Sequence, residues 1–429
     1  MNLEKYLLTK LEKEMSQVVI DSQTSDSTLI KFVNNKVDNT FINSSQIINI
    51  FAAKDQKIVS TSLKATNKSS ADETIKKIKY YIKKIPKSES FVDIAEGPFK
   101  YKEIKQGYDK KIRNLNHLNL LEKAINSSKA KRCSGTLSTN IMKTSLLTSH
   151  GAETSEKGTG IYFSIRSFET KDASGHKTVT SRTLNQKEIL SASKKSGEIA
   201  KQSLNPLKGK SGTFDVVFDA LPFACIINPI GTALSIFSVE SGLSFFHDKI
   251  NQNLGNFTLI DDSTFPNGYN SSKCDLEGTP GKRRILVDKG ILKTYLHNTS
   301  SSKRYNVENT GNAGIIIPSP SNLIFETKKG NVFGVDKGIY ITNLWYTRFQ
   351  NTSTGDFSTI PRDGIFLIKN GKLDKPIKNI RISDNMLKML KNVVCSSKKP
   401  EQITSWEAET PVITPSVLIK DVKITKPTV

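Results

Sequence analysis

The stretch LIDDSTFPNGYNSSKCDLEGTPGKRRILVDKGILKTYL, residues 259–296, decides the fold class. Inside it, RRILV (283–287) and ILKTYL (291–296) are short apolar runs rich in β-branched residues, and Asp288-Lys289-Gly290 lies between them. Such a run–turn–run pattern reads as an antiparallel hairpin. The same grammar continues outward on both sides. TFDVVFDA (213–220) reads as a strand, GIFLI (364–368) as another closed by the Asn370-Gly371 turn, and VLIKDVKI (417–424) as the last. Met386 to Val394 reads as a short helix. Residues 213–427 are therefore expected to form a mostly antiparallel β domain, and no repeat of fixed period points to a solenoid or propeller.

Upstream, helices and strands alternate. Leu3, Leu7, Leu11 and Met15 are four apart, one stripe of a helix begun by Asn2. The runs 28–33, 37–42, 45–53 and 57–63 read as a strand meander, with turns at Asn34-Asn35 and Lys54-Asp55-Gln56. Ser70 and Glu73 suggest a capping box for a helix over 71–85, whose Ile75, Ile78, Ile82 and Ile85 form an apolar stripe and which Pro86 stops. Residues 88–111, with Gly97-Pro98, read as a connector. A second unit follows, with a helix over 116–128, strands over 134–149, 159–168 and 176–183, and a helix from Gln186 to Leu204. NPLKGKSG (205–212) is the clearest linker. The expected fold class is α+β: two small units, residues 1–100 and 110–206, followed by a larger β-rich domain, 213–427.

Composition narrows the function classes. A chain of 429 residues exceeds one ordinary core, and 36% apolar content with 20 Phe and 11 Tyr suffices for several. Cys133, Cys225, Cys274 and Cys395 are scattered, with no CxxC pair, which suits inert thiols in a reducing compartment. The apolar stretch Phe214–Val239 is broken by Asp215, Asp219, Pro222, Asn228 and Pro229, so it does not read as a membrane span. The charged N-terminal helix does not read as a signal peptide, and a cytoplasmic location is expected. Lysine and arginine exceed the acids by 63 to 41, giving +22. The lysines are spread along the chain and seldom interleaved with aromatics, which fits a solvated surface better than a nucleic-acid interface.

Catalytic grammars are sparse. Zinc hydrolases set two histidines on one helical face with a glutamate beside the bound water. His117, His150, His176, His247 and His297 are all far apart. A weak site built from His247, Asp248 and Glu240 can be imagined, but a histidine beside an acid is more often structural. GxSxG and GxxxxGK[ST] are missing, and the GxG at Gly158–Gly160 lacks the third glycine that dinucleotide binding needs. Cys225 sits in an apolar run with no nearby cation to favour a thiolate. Asp261-Asp262 and Asp275/Glu277 could exchange protons, yet acids among Gly, Ser and Pro usually form turns.

The ordered series that starts at residue 259 and continues through NTGNAG (309–314), PSPSNL (318–323), TSTGDF (352–357) and DGIFLIKNGKL (363–373) resembles the C-terminal domain of the TldD/PmbA family. LIKFVNNKVDNTFI and KIVSTSLKATNKSSADETIKKI resemble its N-terminal domain more loosely. In that family one subunit type carries a HExxxH zinc-protease helix, with a third cysteine ligand near the C-terminus. Here the corresponding region reads PFACIINPIGTALSIFSVESGLSFFHDKI, and PEQITSWEAETPVITPSVLI contains no cysteine. The resemblance therefore implies a PmbA (TldE)-like chain with no cofactor of its own, paired with a zinc-bearing TldD-like subunit or with itself, and acting on unfolded or extended peptides. It also implies that Thr310, Gly311, Asn312, Ser319, Asn322, Gly355 and Asp356 lie near the peptide cleft. Gly311 and Gly355 suit positive φ, and Asn312 and Asp356 are expected to satisfy nearby backbone N–H groups. The alternatives are a peptidase with an unrecognised site and a nucleic-acid or gyrase-associated protein.

Overall fold

The computed structural model describes residues 2–64 and 67–426. Helix α1 (Leu3–Leu11) is capped by Asn2, whose side chain accepts from Lys5 N at 3.0 Å, and it buries Leu7 and Leu11. Three strands follow, β1 (Gln17–Val33), β2 (Lys36–Lys54) and β3 (Lys57–Leu63). Their turns hold Asn34, Asn35, Asp55 and Gln56 at positive φ, as turn chemistry predicts. The runs expected as separate strands at 37–42 and 45–53 are one strand. Its first eleven residues are exposed on both faces, so the alternation that marks a half-buried strand is absent there. Helix α2 (Lys68–Lys84) begins earlier than the expected capping box. Asn67 is the cap, accepting from Ser70 N at 2.9 Å, and Glu73 pairs instead with Lys77 one turn on, at 2.7 Å.

Helix α3 (His117–Ser128), strands β4 (Arg132–Thr148), β5 (Glu153–Phe168) and β6 (Ser174–Ser181), and helix α4 (Gln186–Gln202) make up the next region. The two expected N-terminal units share one sheet, of order β3-β2-β1-β4-β5-β6. β1 pairs with β4 in register from Val19 opposite Thr148 to Phe32 opposite Gly135. Two cores remain distinct: α1 and α2 cover one around Ile20, Ile48 and Ile78, while α3 and α4 cover another around Phe32, Phe163 and Ile189.

The rest of the chain is β-rich. It contains β7 (Leu207–Lys208), β8 (Gly212–Phe218), α5 (Ala220–Ala233), α6 (Ile236–Glu240), β9 (Phe257–Asp262), β10 (Arg283–Asp288), β11 (Ile291–Leu292), α7 (Thr299–Tyr305) and β12 (Leu323–Thr327). Then come β13 (Lys337–Asn351), β14 (Asp356–Lys369), β15 (Lys372–Lys378), β16 (Arg381–Asn385), α8 (Met386–Lys391), β17 (Val393–Ser396), β18 (Glu401–Ser405), β19 (Ala408–Thr414) and β20 (Val417–Thr425). The hairpin over 283–296 forms around Lys289 and Gly290, both at positive φ, but its second strand stops at Leu292. The helix expected over Met386–Val394 ends at Lys391, and Val393 and Val394 lie on β17 with Cys395.

One sheet runs β11-β10-β9-β12-β19-β18. In the other, β13-β8-β20-β16-β14 closes into a ring through the β13–β14 pairing. Helix α5 packs against β18 and β19 of the first sheet and β13 of the second. That explains why nearly all of its side chains are buried and why its sequence is apolar all round. Phe223 meets Phe325 edge-on at 4.7 Å between centroids, and Phe325 stacks on Phe257 at 5.3 Å. No helix among the described residues is long and apolar enough to cross a membrane.

Candidate functional site: the groove beside helix α5

One face of α5 borders open space. Cys225, Asn228, Pro229 and Thr232 line a cavity of about 480 Å³ whose opposite wall is Thr347, Arg348, Phe349, Trp406 and Glu407. A second cavity, of about 350 Å³, adjoins it through Trp406 and Glu407. It lies between Tyr162, Ser164, Arg166 and His176 of the N-terminal sheet and Asn343, Trp345 and Asp363 of the ring. The α5 groove is thus walled by the C-terminal region, and the adjoining cavity lies between that region and the N-terminal sheet.

A bulge in β13 shapes the rim. Register slips between Trp345 and Arg348, and Tyr346 sits at φ 58°, a conformation costly for a bulky residue. Glu407 holds it there, accepting from Tyr346 N at 3.1 Å and Thr347 N at 2.8 Å and pairing with Arg348 at 3.1 Å. Trp345, Tyr346 and Trp406 cluster with centroid separations of 4.7–5.8 Å, and the Arg362 guanidinium lies 5.0 Å from the Trp345 ring. Trp406 remains 57% exposed, an unusual placement for so large an apolar ring.

Buried ion pairs fix the two sides. Lys177 on β6 reaches Asp219, the residue just before α5, at 3.0 Å and Glu401 at 3.4 Å, and the Ser416 hydroxyl donates to Asp219 at 2.9 Å. Arg166 on β5 pairs with Asp363 at 2.6 Å, which also accepts from Asn343 at 2.8 Å. Beside it, burial pushes His176 down to about 4, so it is neutral and shares a hydrogen bond with Ser164 at 2.9 Å.

None of the seven motif residues lines the α5 groove or the cavity beside it. Thr310, Asn312 and Asn322 are buried, and they brace loops. Thr310 Oγ1 bridges His297 N and O, and Asn322 accepts from Asn270 N and donates to Asp262 O and Ser271. Asn312 does not serve backbone N–H groups as expected. Its amide donates to Asp261 at 2.6 Å and to the Ser319 carbonyl at 3.1 Å, because a buried carboxylate there needs donors. Asp356 likewise accepts from Thr354 and Asn385 side chains rather than from backbone. Gly311 and Gly355 have the expected positive φ, 72° and 82°. Of the seven, Gly355 backs the α5 groove: a Cβ there would meet Phe245, part of the groove wall, at 3.1 Å.

Asp275 is the turn former its neighbours suggest, accepting from Glu277 N and Thr279 N at 2.9 Å and from Ala313 N at 3.0 Å. Glu277 is buried against Thr299 N at 3.1 Å. The imagined trio around His247 does not form. His247 is exposed beside Asp248, while Glu240 is held by Arg304 at 2.5 Å. Sequence reasoning missed the aromatic rim and Glu407. The available signal was that the chain's 2 tryptophans, Trp345 and Trp406, are both there.

Residues 211–426 match the family model described as the PmbA/TldA metallopeptidase C-terminal domain, half of the chain. This chain belongs to the TldD/PmbA family. It is 29% identical over 345 residues to the uncharacterized protein MJ0231 of Methanocaldococcus jannaschii, covering 75% of this chain and 78% of that one. It is 31% identical over 214 residues to a metalloprotease TldD homolog of Buchnera aphidicola, a match that spans 47% of this chain and 44% of the relative. Its fold matches TldE from Thermococcus kodakarensis with a TM-score of 0.87 at 19% identity, covering 99% of this chain and 100% of that one. It also matches a putative modulator of a DNA gyrase from Thermotoga maritima with a TM-score of 0.86 at 20% identity, covering 99% of each.

TldD/PmbA membership raises the question of a metal, and the residues beside α5 do not fit one. Zinc needs imidazole, thiolate or carboxylate donors free to converge. Asn228 spends its amide on Thr410 O at 2.8 Å. Burial pushes the Cys225 thiol up to about 12, and it donates to Leu221 O. Glu407 is committed to the β13 bulge. Among the described residues no three His, Cys, Asp or Glu side chains gather as a metal would require.

Proposed function

We propose that this chain is a PmbA/TldE-type subunit that supplies peptide-binding surface to a protease whose zinc resides on a TldD-like partner. The observation that carries this is the α5 groove. Its inward side chains are an amide, a hydroxyl and a protonated thiol rather than metal ligands, and its rim is an exposed aromatic cluster held by Glu407. Aromatic rings flanked by a cation bind extended peptides with little sequence choice, through area and main-chain contacts. Family membership supports the setting, a metallopeptidase system. Hydrolysis then belongs to the partner, and this chain holds substrate in reach.

Co-purification with a family member carrying HExxxH tests it. About one zinc per pair is expected, lost when the partner's motif histidines are replaced and unaffected by Asn228→Ala in this chain. Chelator-sensitive cleavage of a denatured protein by this chain alone would overturn the assignment.

A further inference from the structure

A third cavity, of about 260 Å³, lies away from α5, between the N-terminal sheet and the loop 269–276. Its floor is one face of three strands. The registers put Asp21, Leu146 and Thr154 in one row, Thr144 and Glu156 in the next, and Met142 and Gly158 in the third. Arg182 stands at the Gly158 end. It is 5% exposed, its Nε has no partner among the described residues, and it forms no ion pair among them. A buried guanidinium left so is costly unless something else satisfies it. Gly158 makes room for it, since a Cβ there would meet Arg182 Nη2 at 2.8 Å. That gives the first glycine of the GxG a role unrelated to nucleotides.

The roof is built as well. Asn322 accepts from Asn270 N at 3.1 Å, Gln402 accepts from Tyr269 N at 2.9 Å, and Glu156 accepts from Lys273 N at 3.2 Å. Lys273 Nζ is turned away to Glu103 at 2.6 Å, so Arg182 is the cation left for a ligand. Along the floor the charge reverses. Glu156 is two residues from Gly158, about 7 Å along a strand, and Asp21 lies in the row about 7 Å further. Two extended residues span the same length. A lone anion would face both carboxylates, whereas a molecule with a carboxylate at one end and an ammonium at the other matches the layout.

We propose that this cavity binds a zwitterionic di- or tripeptide, its α-carboxylate on Arg182 and its ammonium toward Glu156 or Asp21. The proposal does not depend on the α5 groove or on a zinc partner. Calorimetric titration of the full chain, with no partner and no metal, with L-alanyl-L-alanine is expected to saturate. Amidation of the C-terminus and acetylation of the N-terminus should each weaken binding about tenfold or more, as loss of a charge-assisted contact does. Arg182→Gln should bind the free acid and the amide alike, and Gly158→Ala, which crowds the guanidinium, should weaken the free acid. The capped peptides interrogate the unaltered chain, so a variant that fails to fold leaves the result standing. Equal affinity for acid and amide, or no saturation at millimolar dipeptide, would overturn the proposal and leave the reading of the α5 groove untouched.

Discussion

At the scale of single residues, buried acids carry the most distinctive physics. Burial, reinforced by the charge of Asp275, pushes the Glu277 carboxyl up to about 8, and burial pushes Asp261 up to about 6 despite its donors Asn312 and Ser321. A carboxyl raised in the folded state contributes stability that is complete below its unfolded value. That contribution is lost as pH climbs through the folded value. The contribution of Glu277 should therefore fall from about pH 4.3, the ordinary glutamate value, to about pH 8, against the gain that buried His176 supplies as pH rises from about 4. Glu277→Gln should flatten that slope in melting curves recorded across the range. Parallel curves for variant and parent would mean that Glu277 is ionised at neutrality. Trp406 calls for a different measurement. Its ring is mostly in water, so Trp406→Ala should leave the melting temperature nearly unchanged while weakening capture of an unfolded peptide about tenfold, read by fluorescence anisotropy.

At the scale of elements, α5 is the keystone, because both C-terminal sheets pack on it. Phe223 is fully buried between Phe325 and the rest of that core, so Phe223→Ala should cost about 3–5 kcal/mol in urea unfolding. A loss below about 1 kcal/mol would mean the core collapses into the gap. Elements were legible where local chemistry decides. Asn34-Asn35 and Asn370-Gly371 take the left-handed turns their side chains favour, and the broken apolar run of α5 is a buried helix rather than a membrane span. They were illegible where solvent or distance decides. β2 is continuous through Asn43 because its pairing with β1 runs unbroken from Gln17 opposite Ala53 to Lys31 opposite Asn39, a partner no single strand displays. Helix α2 starts at Lys68 because Asn67 outcompetes Ser70 as the cap. The motif residues were visible through resemblance, yet their buried roles, such as the grip of Asn312 on Asp261, depend on segments 51 positions apart. Trp345 and Trp406 meet only because β13 bulges toward the β18–β19 turn.

At the scale of the molecule, the two halves are joined by charges taken out of water. Lys177, buried beside Asp219 and reaching half-buried Glu401, ties β6 to the start of α5. Lys177→Met should cost about 3–5 kcal/mol, because it leaves buried Asp219 with the Ser416 hydroxyl but no cation, while Glu401 keeps Lys195 at 3.9 Å. Lys177→Met combined with Asp219→Asn should recover part of that loss. If the single variant unfolds like the parent, water already reaches this pair. The continuous N-terminal sheet has a practical outcome for anyone dividing the chain. The connector at 88–111 invites a cut, since it separates two cores with their own helices. A fragment ending there would bare the whole flank of β1, from Val19 to Phe32, that β4 now occupies. Unpaired strand flanks of that length recruit other chains. Such a piece should clump at concentrations where the intact polypeptide stays clear, and adding residues 112–202 back in tandem should cure it.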